Sequence, residues 1–265
     1  MLCKTERISS LCAPEKFRGK TRNRKMKKLM FVAAAAMACS AFCIESANTV
    51  GYMSVATEAG FNFFAPMFKN TSGAAVDIQA IVLDPTTATS WADNIQVFEE
   101  GSGEVISQYF YATASESGLS ADGWLDENSE LAVYAIKPGQ CFAIETAQES
   151  QITNAGEVNA DDTDFTATAG FVFIGNISPV DISVQDVVID PLTATSWADN
   201  IQLFEAGSGE VIAQYFYATA SESGLSADGW LDENSELSDA TIKAGEGFAV
   251  ETSNDAVTIT LPSAL

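Results

Sequence analysis

Asn94-Ile95-Gln96-Val97-Phe98-Glu99, then Glu100-Gly101-Ser102-Gly103, then Glu104-Val105-Ile106-Ser107-Gln108-Tyr109-Phe110-Tyr111 is the stretch that decides the fold class. Two runs rich in β-branched and aromatic residues flank a short Gly-containing loop, which is the composition of a β-hairpin. The segment Asp84 to Leu131 containing it returns as Asp190 to Leu237, displaced by 106 residues. Only four of the 48 positions differ: Thr86/Leu192, Val97/Leu203, Glu100/Ala206 and Ser107/Ala213. A hairpin that occurs twice implies a module that occurs twice.

Outside this segment the copies diverge but keep an apolar pattern. Ala59-Gly60-Phe61-Asn62-Phe63-Phe64 answers Ala169-Gly170-Phe171-Val172-Phe173-Ile174, and Lys137-Pro138-Gly139-Gln140-Cys141-Phe142 answers Lys243-Ala244-Gly245-Glu246-Gly247-Phe248. Identity of even polar residues in the middle points to recent copying, whereas the pattern surviving in the flanks is what a fold requires. Further strands are expected over Thr49 to Ala56, Phe61 to Phe68, Cys141 to Thr146 and Val257 to Leu261, with Gly, Asp, Asn and Pro punctuating them. Val76 to Leu83 fits a buried strand or two helical turns equally well. The expected class is all-β, with each module a small β-sandwich or partly open barrel. Module one spans residues 48–159 and module two residues 165–265, joined by the polar linker Ala160-Asp161-Asp162-Thr163-Asp164.

Met26-Lys27-Lys28 followed by Leu29, Met30, Phe31, Val32 and the run Ala33 to Ala38 reads as a secretory signal peptide over residues 26–47. Cleavage is expected between Ala38 and Ala47. Residues 1–25 form a basic upstream extension outside any fold, with Met26 the favoured start. The expected location is secreted, periplasmic or at the cell surface. Beyond Phe31 the only basic residues are Lys69, Lys137 and Lys243, against 34 Asp and Glu, so the exported part carries a net charge near −31. Such a surface repels nucleic acid and anionic membranes. Cys141 is the only thiol beyond the signal region, so one exported chain has no disulfide framework. It reads as a small apolar filler, with an intermolecular disulfide as the alternative.

The opening Gly60 to Pro66 and Gly170 to Asn176, with the closing Gly245-Glu246-Gly247-Phe248-Ala249-Val250, resemble a widespread secreted bacterial module. Its members open on a Gly-Phe/Trp-Asn-Leu strand ending near Pro and close on Gly-x-Gly-Phe/Tyr-x-Val. The first copy departs from this at Cys141, where the second has Gly247. The resemblance implies an extracellular or envelope β-module and carries no established reaction.

The chain has no histidine, which removes Ser-His-Asp and Cys-His nucleophile systems and His-based metal sites. Gly101-Ser102-Gly103 and Gly245-Glu246-Gly247 are fragments of phosphate-binding patterns beside acidic residues, and read as turns. No carboxylate pair is singled out for glycoside hydrolysis, so no enzyme is expected. Two candidate sites remain. Asp122, Asp126, Asn128 and Glu130, with Asp228, Asp232, Asn234 and Glu236, form oxygen-rich loops of a kind that suits calcium, without the spacing of an EF-hand; a plain acidic loop is the competing reading. Trp91, Trp124, Trp197 and Trp230 suit stacking on sugar rings if exposed and core packing if buried. The expected function is a non-enzymatic structural or adhesive cell-envelope protein, with extracellular carbohydrate binding as the alternative. The partner is left open, with envelope polysaccharide or protein as the candidates, and no cofactor is expected, calcium being the one candidate ion.

Overall fold

In the computed structural model, residues 50–69 and 75–263 are described. The upstream extension, the export signal and the start of module one lie outside these residues. Within them the expected hairpin forms as Asn94–Phe98 against Val105–Ala112, with Ile95 opposite Tyr109 and Val97 opposite Ser107. Ile95 and Val97 are fully buried while Gln96 between them and Phe98 after them are half-buried, the alternation a two-faced strand requires. A register shift at Val97/Phe98 recurs at Leu203/Phe204, so the second hairpin repeats the geometry as well as the residues.

Each half builds a five-stranded sheet around its hairpin. The first runs in the order Gly60–Phe64, Phe142–Thr146, Asn94–Phe98, Val105–Ala112, Gly123–Leu125. The second runs Gly170–Gly175, Gly247–Thr252, Asn200–Phe204, Val211–Ala218, Gly229–Leu231. Against the first sheet packs a smaller one centred on Ser150–Val158, which pairs with Val50–Thr57, Phe68–Lys69 and Val82–Leu83. In the second half Val257–Leu261 takes that role, between Thr163–Ala167 and Val188–Ile189. Side chains of both layers share one core per half: Ile95, Trp124, Phe142 and Ile152 in the first, Ile201, Trp230, Phe248 and Ile259 in the second. The protein is therefore all-β, and its sheets pack as open layers rather than closing into a barrel.

Several expectations change in detail. Val76 to Leu83 resolves its ambiguity as neither alternative: Val76–Asp77 and Val82–Leu83 are short strands around a single turn of 3-10 helix, Ile78–Ala80, capped by the Asp77 carboxylate. Thr163 and Asp164, read as linker, belong to the strand Thr163–Ala167 and pair with Leu261 and Thr260. The two halves fall within one compact unit.

The contact between halves follows an approximate two-fold relation. The edge strand Gly60–Phe64 meets the other half's hairpin loop, where Phe61 N donates to Gly207 O and Gly207 N to Phe61 O, both at 2.8 Å. Reciprocally, Phe171 N donates to Gly101 O at 3.0 Å and Gly101 N to Phe171 O at 2.7 Å. Gly60 and Gly170 are required here, because each has φ above +100° and a Cβ would strike the facing carbonyl oxygen. Phe63 stacks on Phe204 with ring centroids 3.9 Å apart, and Phe98 stacks on Phe173 at 4.3 Å. Each pair adds about 0.5–1.5 kcal/mol beyond the area it buries. One edge strand of each five-stranded sheet, Gly60–Phe64 and Gly170–Gly175, is thereby covered by the other half.

Candidate functional site

The acidic loops are built from the strand Gly123–Leu125 outward. Trp124 and Leu125 are buried, which fixes the loop base, and Asp126 then closes a tight turn. Its Oδ1 accepts from the backbone N–H groups of Asn128 at 2.9 Å and Glu130 at 3.0 Å, and Ser129 takes the left-handed conformation the turn needs. Asp122 is used elsewhere: its Oδ1 accepts from Ala114 N at 2.7 Å, at the start of the short helix Ala114–Ser117. The second copy repeats this with Asp228 on Ala220 N and with Asp232 on the N–H groups of Asn234 and Glu236. These backbone hydrogen bonds, chiefly those from Glu130 and Glu236, hold the Asp126 and Asp232 carboxyls below the ordinary range.

The loops thus spend their best-placed carboxylates on their own backbone, and Asn128, Glu130, Asn234 and Glu236 stand exposed. Among the described residues no group of three or more Cys, Asp or Glu is arranged to hold a metal ion. The acidic calcium candidates are thus not gathered into a carboxylate cluster: Asp122 is engaged at a helix start and Asp126 in its own turn. Calcium chloride and sodium chloride at equal ionic strength should raise the melting temperature equally, by screening alone. An excess rise in calcium that disappears in the Asp126→Ala/Asp232→Ala double variant would restore a divalent site.

The four candidate tryptophans divide into two pairs. Trp124 and Trp230 are 1% exposed, donate from Nε1 to the carbonyls of Ile81 at 2.7 Å and Val187 at 2.6 Å, and meet Tyr111 and Tyr217 edge-on. No sugar reaches them, and they leave the set of stacking candidates. Trp91 and Trp197 are 45% and 43% exposed in the turn before the hairpin, each with φ of 64°. A non-Gly residue in the left-handed region costs about 1–2 kcal/mol, so the backbone holds these two rings outward against its own preference.

Cys141 is buried and free, and desolvation pushes its thiol far up from the ordinary value, so the intermolecular disulfide finds no accessible sulfur. Its N–H donates to Phe173 O at 3.1 Å across the contact between halves. Lys137 and Lys243 open equivalent turns, where their backbone N–H groups donate to Gln140 Oε1 and Glu246 Oε2. No helix among the described residues is long and apolar enough to cross a membrane. Comparison with known proteins finds no matching family model, no curated relative and no similar solved structure.

Proposed function

We propose that this is a secreted, non-enzymatic structural or adhesive protein of the bacterial cell envelope. The observation that carries the reading is the reciprocal seal between the two halves. Backbone bridges and stacked phenylalanines join them while covering one edge strand of each five-stranded sheet, which yields a unit with nearly all its excess charge outside. A body of this kind suits display on or between envelope surfaces, where high negative charge maintains solubility and repels anionic lipid. The export signal at Met26 to Ala38 supplies the route.

Fractionation of expressing cells, with mass spectrometry of the recovered protein, tests this reading. The expected result is envelope or extracellular protein whose N-terminus lies between Cys39 and Asn48. Full-length chain in the cytosol overturns it.

A second reading, carbohydrate binding, is favoured by Trp91 and Trp197, whose rings are exposed at a backbone cost in both copies. Affinity electrophoresis through gels containing envelope polysaccharide separates the two readings. Retardation lost in Trp91→Ala/Trp197→Ala supports sugar stacking, and mobility unaffected by polysaccharide leaves the structural reading.

A further inference from the structure

The approximate two-fold relation between the halves creates two related clefts, and only one of them is open. The open one has about 120 Å³ of interior and lies where Val55, Phe63 and Phe64 of the first half face Phe204, Ala206 and Glu246 of the second. Two substitutions between copies explain why its counterpart is closed. Val55 corresponds to Phe165, as each stands opposite the equivalent isoleucine, Ile152 or Ile259. The Phe165 ring lies so close over Gly139 that a Cβ there would collide with it, whereas a Cβ on Gly245 would stand 3.3 Å from Val55 Cγ2, a tight approach without such a collision. Ala206 corresponds to Glu100, whose Oε1 crosses to accept from both Thr168 N and Oγ1 at 3.1 Å. A plug and a strap on one side are thus replaced by a valine and an alanine on the other.

The chemistry of the walls differs in the same direction. Thr57, Asn62 and Glu246 stand in the open cleft where the closed one has Ala167, Val172 and Gln140. The Asn62 amide is fully committed: Oδ1 accepts from Glu58 N, and Nδ2 donates to the carbonyls of Glu58 and Gly60. Thr57 is buried and its hydroxyl has no hydrogen-bond partner among the described residues. The Glu246 carboxylate is half-buried, with Oε2 accepting from Lys243 N at 2.7 Å. Lys243 is exposed on the rim and Asp181 lies close by. The interior thus offers the Glu246 carboxylate and the Thr57 hydroxyl, which can accept or donate, beside three phenylalanine rings.

We propose that the open cleft is a binding site for a small amphipathic cation, a single-ring arylalkyl ammonium in size and chemistry. The ammonium is held by Glu246, with the Thr57 hydroxyl as a further acceptor, and the apolar body lies against Phe63, Phe64 and Phe204. An apolar cavity of about 150 Å³ takes up benzene, which sets the scale for one ring here. Aromatic faces attract cations, and the chain's large negative charge concentrates them. The same field disfavours an anion at Lys243. Burial raises the Glu246 carboxyl above the ordinary glutamate value, so protonation sets in early and cation affinity falls as pH falls through that raised range.

The site does not depend on the structural or adhesive reading above. Calorimetric titration with benzylammonium, benzyl alcohol and benzoate at neutral pH tests it. Saturable binding of benzylammonium in preference to the other two is expected. Glu246→Gln, which copies the counterpart's Gln140, should weaken that binding about tenfold and remove its preference over the alcohol. Val55→Phe, which copies the counterpart's plug, should abolish binding while the circular dichroism melt shows a folded protein. If Val55→Phe does not fold, Glu246→Gln alone decides the matter. Absence of saturable binding up to about 10 mM, equal affinity for alcohol and ammonium in the native protein, or an affinity unchanged by Glu246→Gln overturns the proposal.

Discussion

Replacement of Trp124 by alanine is expected to remove about 3–5 kcal/mol of folding stability, whereas Trp91→Gly should leave stability within about 1 kcal/mol of the native value. The residues are of the same type and lie 33 positions apart in a segment copied almost unchanged. Trp124 fills the first core against Tyr111 and satisfies the buried carbonyl of Ile81, so truncation leaves both a cavity and an orphaned acceptor. Trp91 sits in the left-handed region and half in solvent. Glycine there relieves about 1–2 kcal/mol of backbone strain, offset by the extra freedom it gives the unfolded chain and by whatever packing the exposed ring makes. With a total stability of roughly 5–15 kcal/mol, the first change consumes a large part and the second almost none. Thermal melts check both: a fall on the order of 10 °C for Trp124→Ala, and a shift of a few degrees at most for Trp91→Gly. Equal losses would mean that Trp91 is a packing residue and would withdraw the sugar-stacking alternative.

What the sequence made legible was what short-range pattern controls. The hairpin at Asn94 to Tyr111 carries its own alternation and its own turn glycines, so its existence and register follow from local chemistry. The strand Ser150–Val158 is illegible in the sequence for the opposite reason. It reads Ser-Gln-Ile-Thr-Asn-Ala-Gly-Glu-Val, polar for a strand that pairs with three others, and buried asparagine and serine occupy its inward positions. Gly123–Leu125 was hidden among the acidic residues that follow it, although burial of Trp124 makes it the anchor of the loop. Proximity in sequence also conceals that Asp126 Oδ1 is engaged by two backbone N–H groups of its own turn, while Oδ2 has only the Asn128 amide at 3.4 Å.

The open cleft left a signal of a different kind. The near-identity of the copies drew attention to what they share, yet the site is formed by what they do not: Val55 against Phe165, Thr57 against Ala167, Asn62 against Val172, Ala206 against Glu100 and Glu246 against Gln140. Divergence at such positions is interpretable only once the two-fold contact shows that they face one another. Before that, the four pairs outside the copied segment are indistinguishable from drift in flanks that keep only an apolar pattern, and Glu100/Ala206 is one of four scattered differences within it.

The same logic gives a sharp expectation at the centre of the contact, where Gly247→Ala should destabilise the protein and Cys141→Gly should largely rescue it. Cys141 and Gly247 are equivalent positions in the two halves, and a Cβ built on Gly247 would collide with Cys141 Sγ and lie 3.0 Å from the backbone of Phe63 and Phe64. Neither residue has a positive φ that demands glycine, so the constraint is one of space alone. Overpacking of this kind typically costs about 1–3 kcal/mol, and the backbone neighbours give little room to relax. Cys141→Gly on its own removes a buried thiol and leaves a small void, a loss of its own. In the double variant the alanine methyl enters the space vacated by sulfur, and the two changes should be less costly together than their sum by about 0.5–3 kcal/mol. Denaturant unfolding of the native protein, both single variants and the double variant closes this cycle. Additive losses would show that the halves do not meet at Cys141 and Gly247 in solution, and with that the two-fold contact that forms the cleft would fail as well.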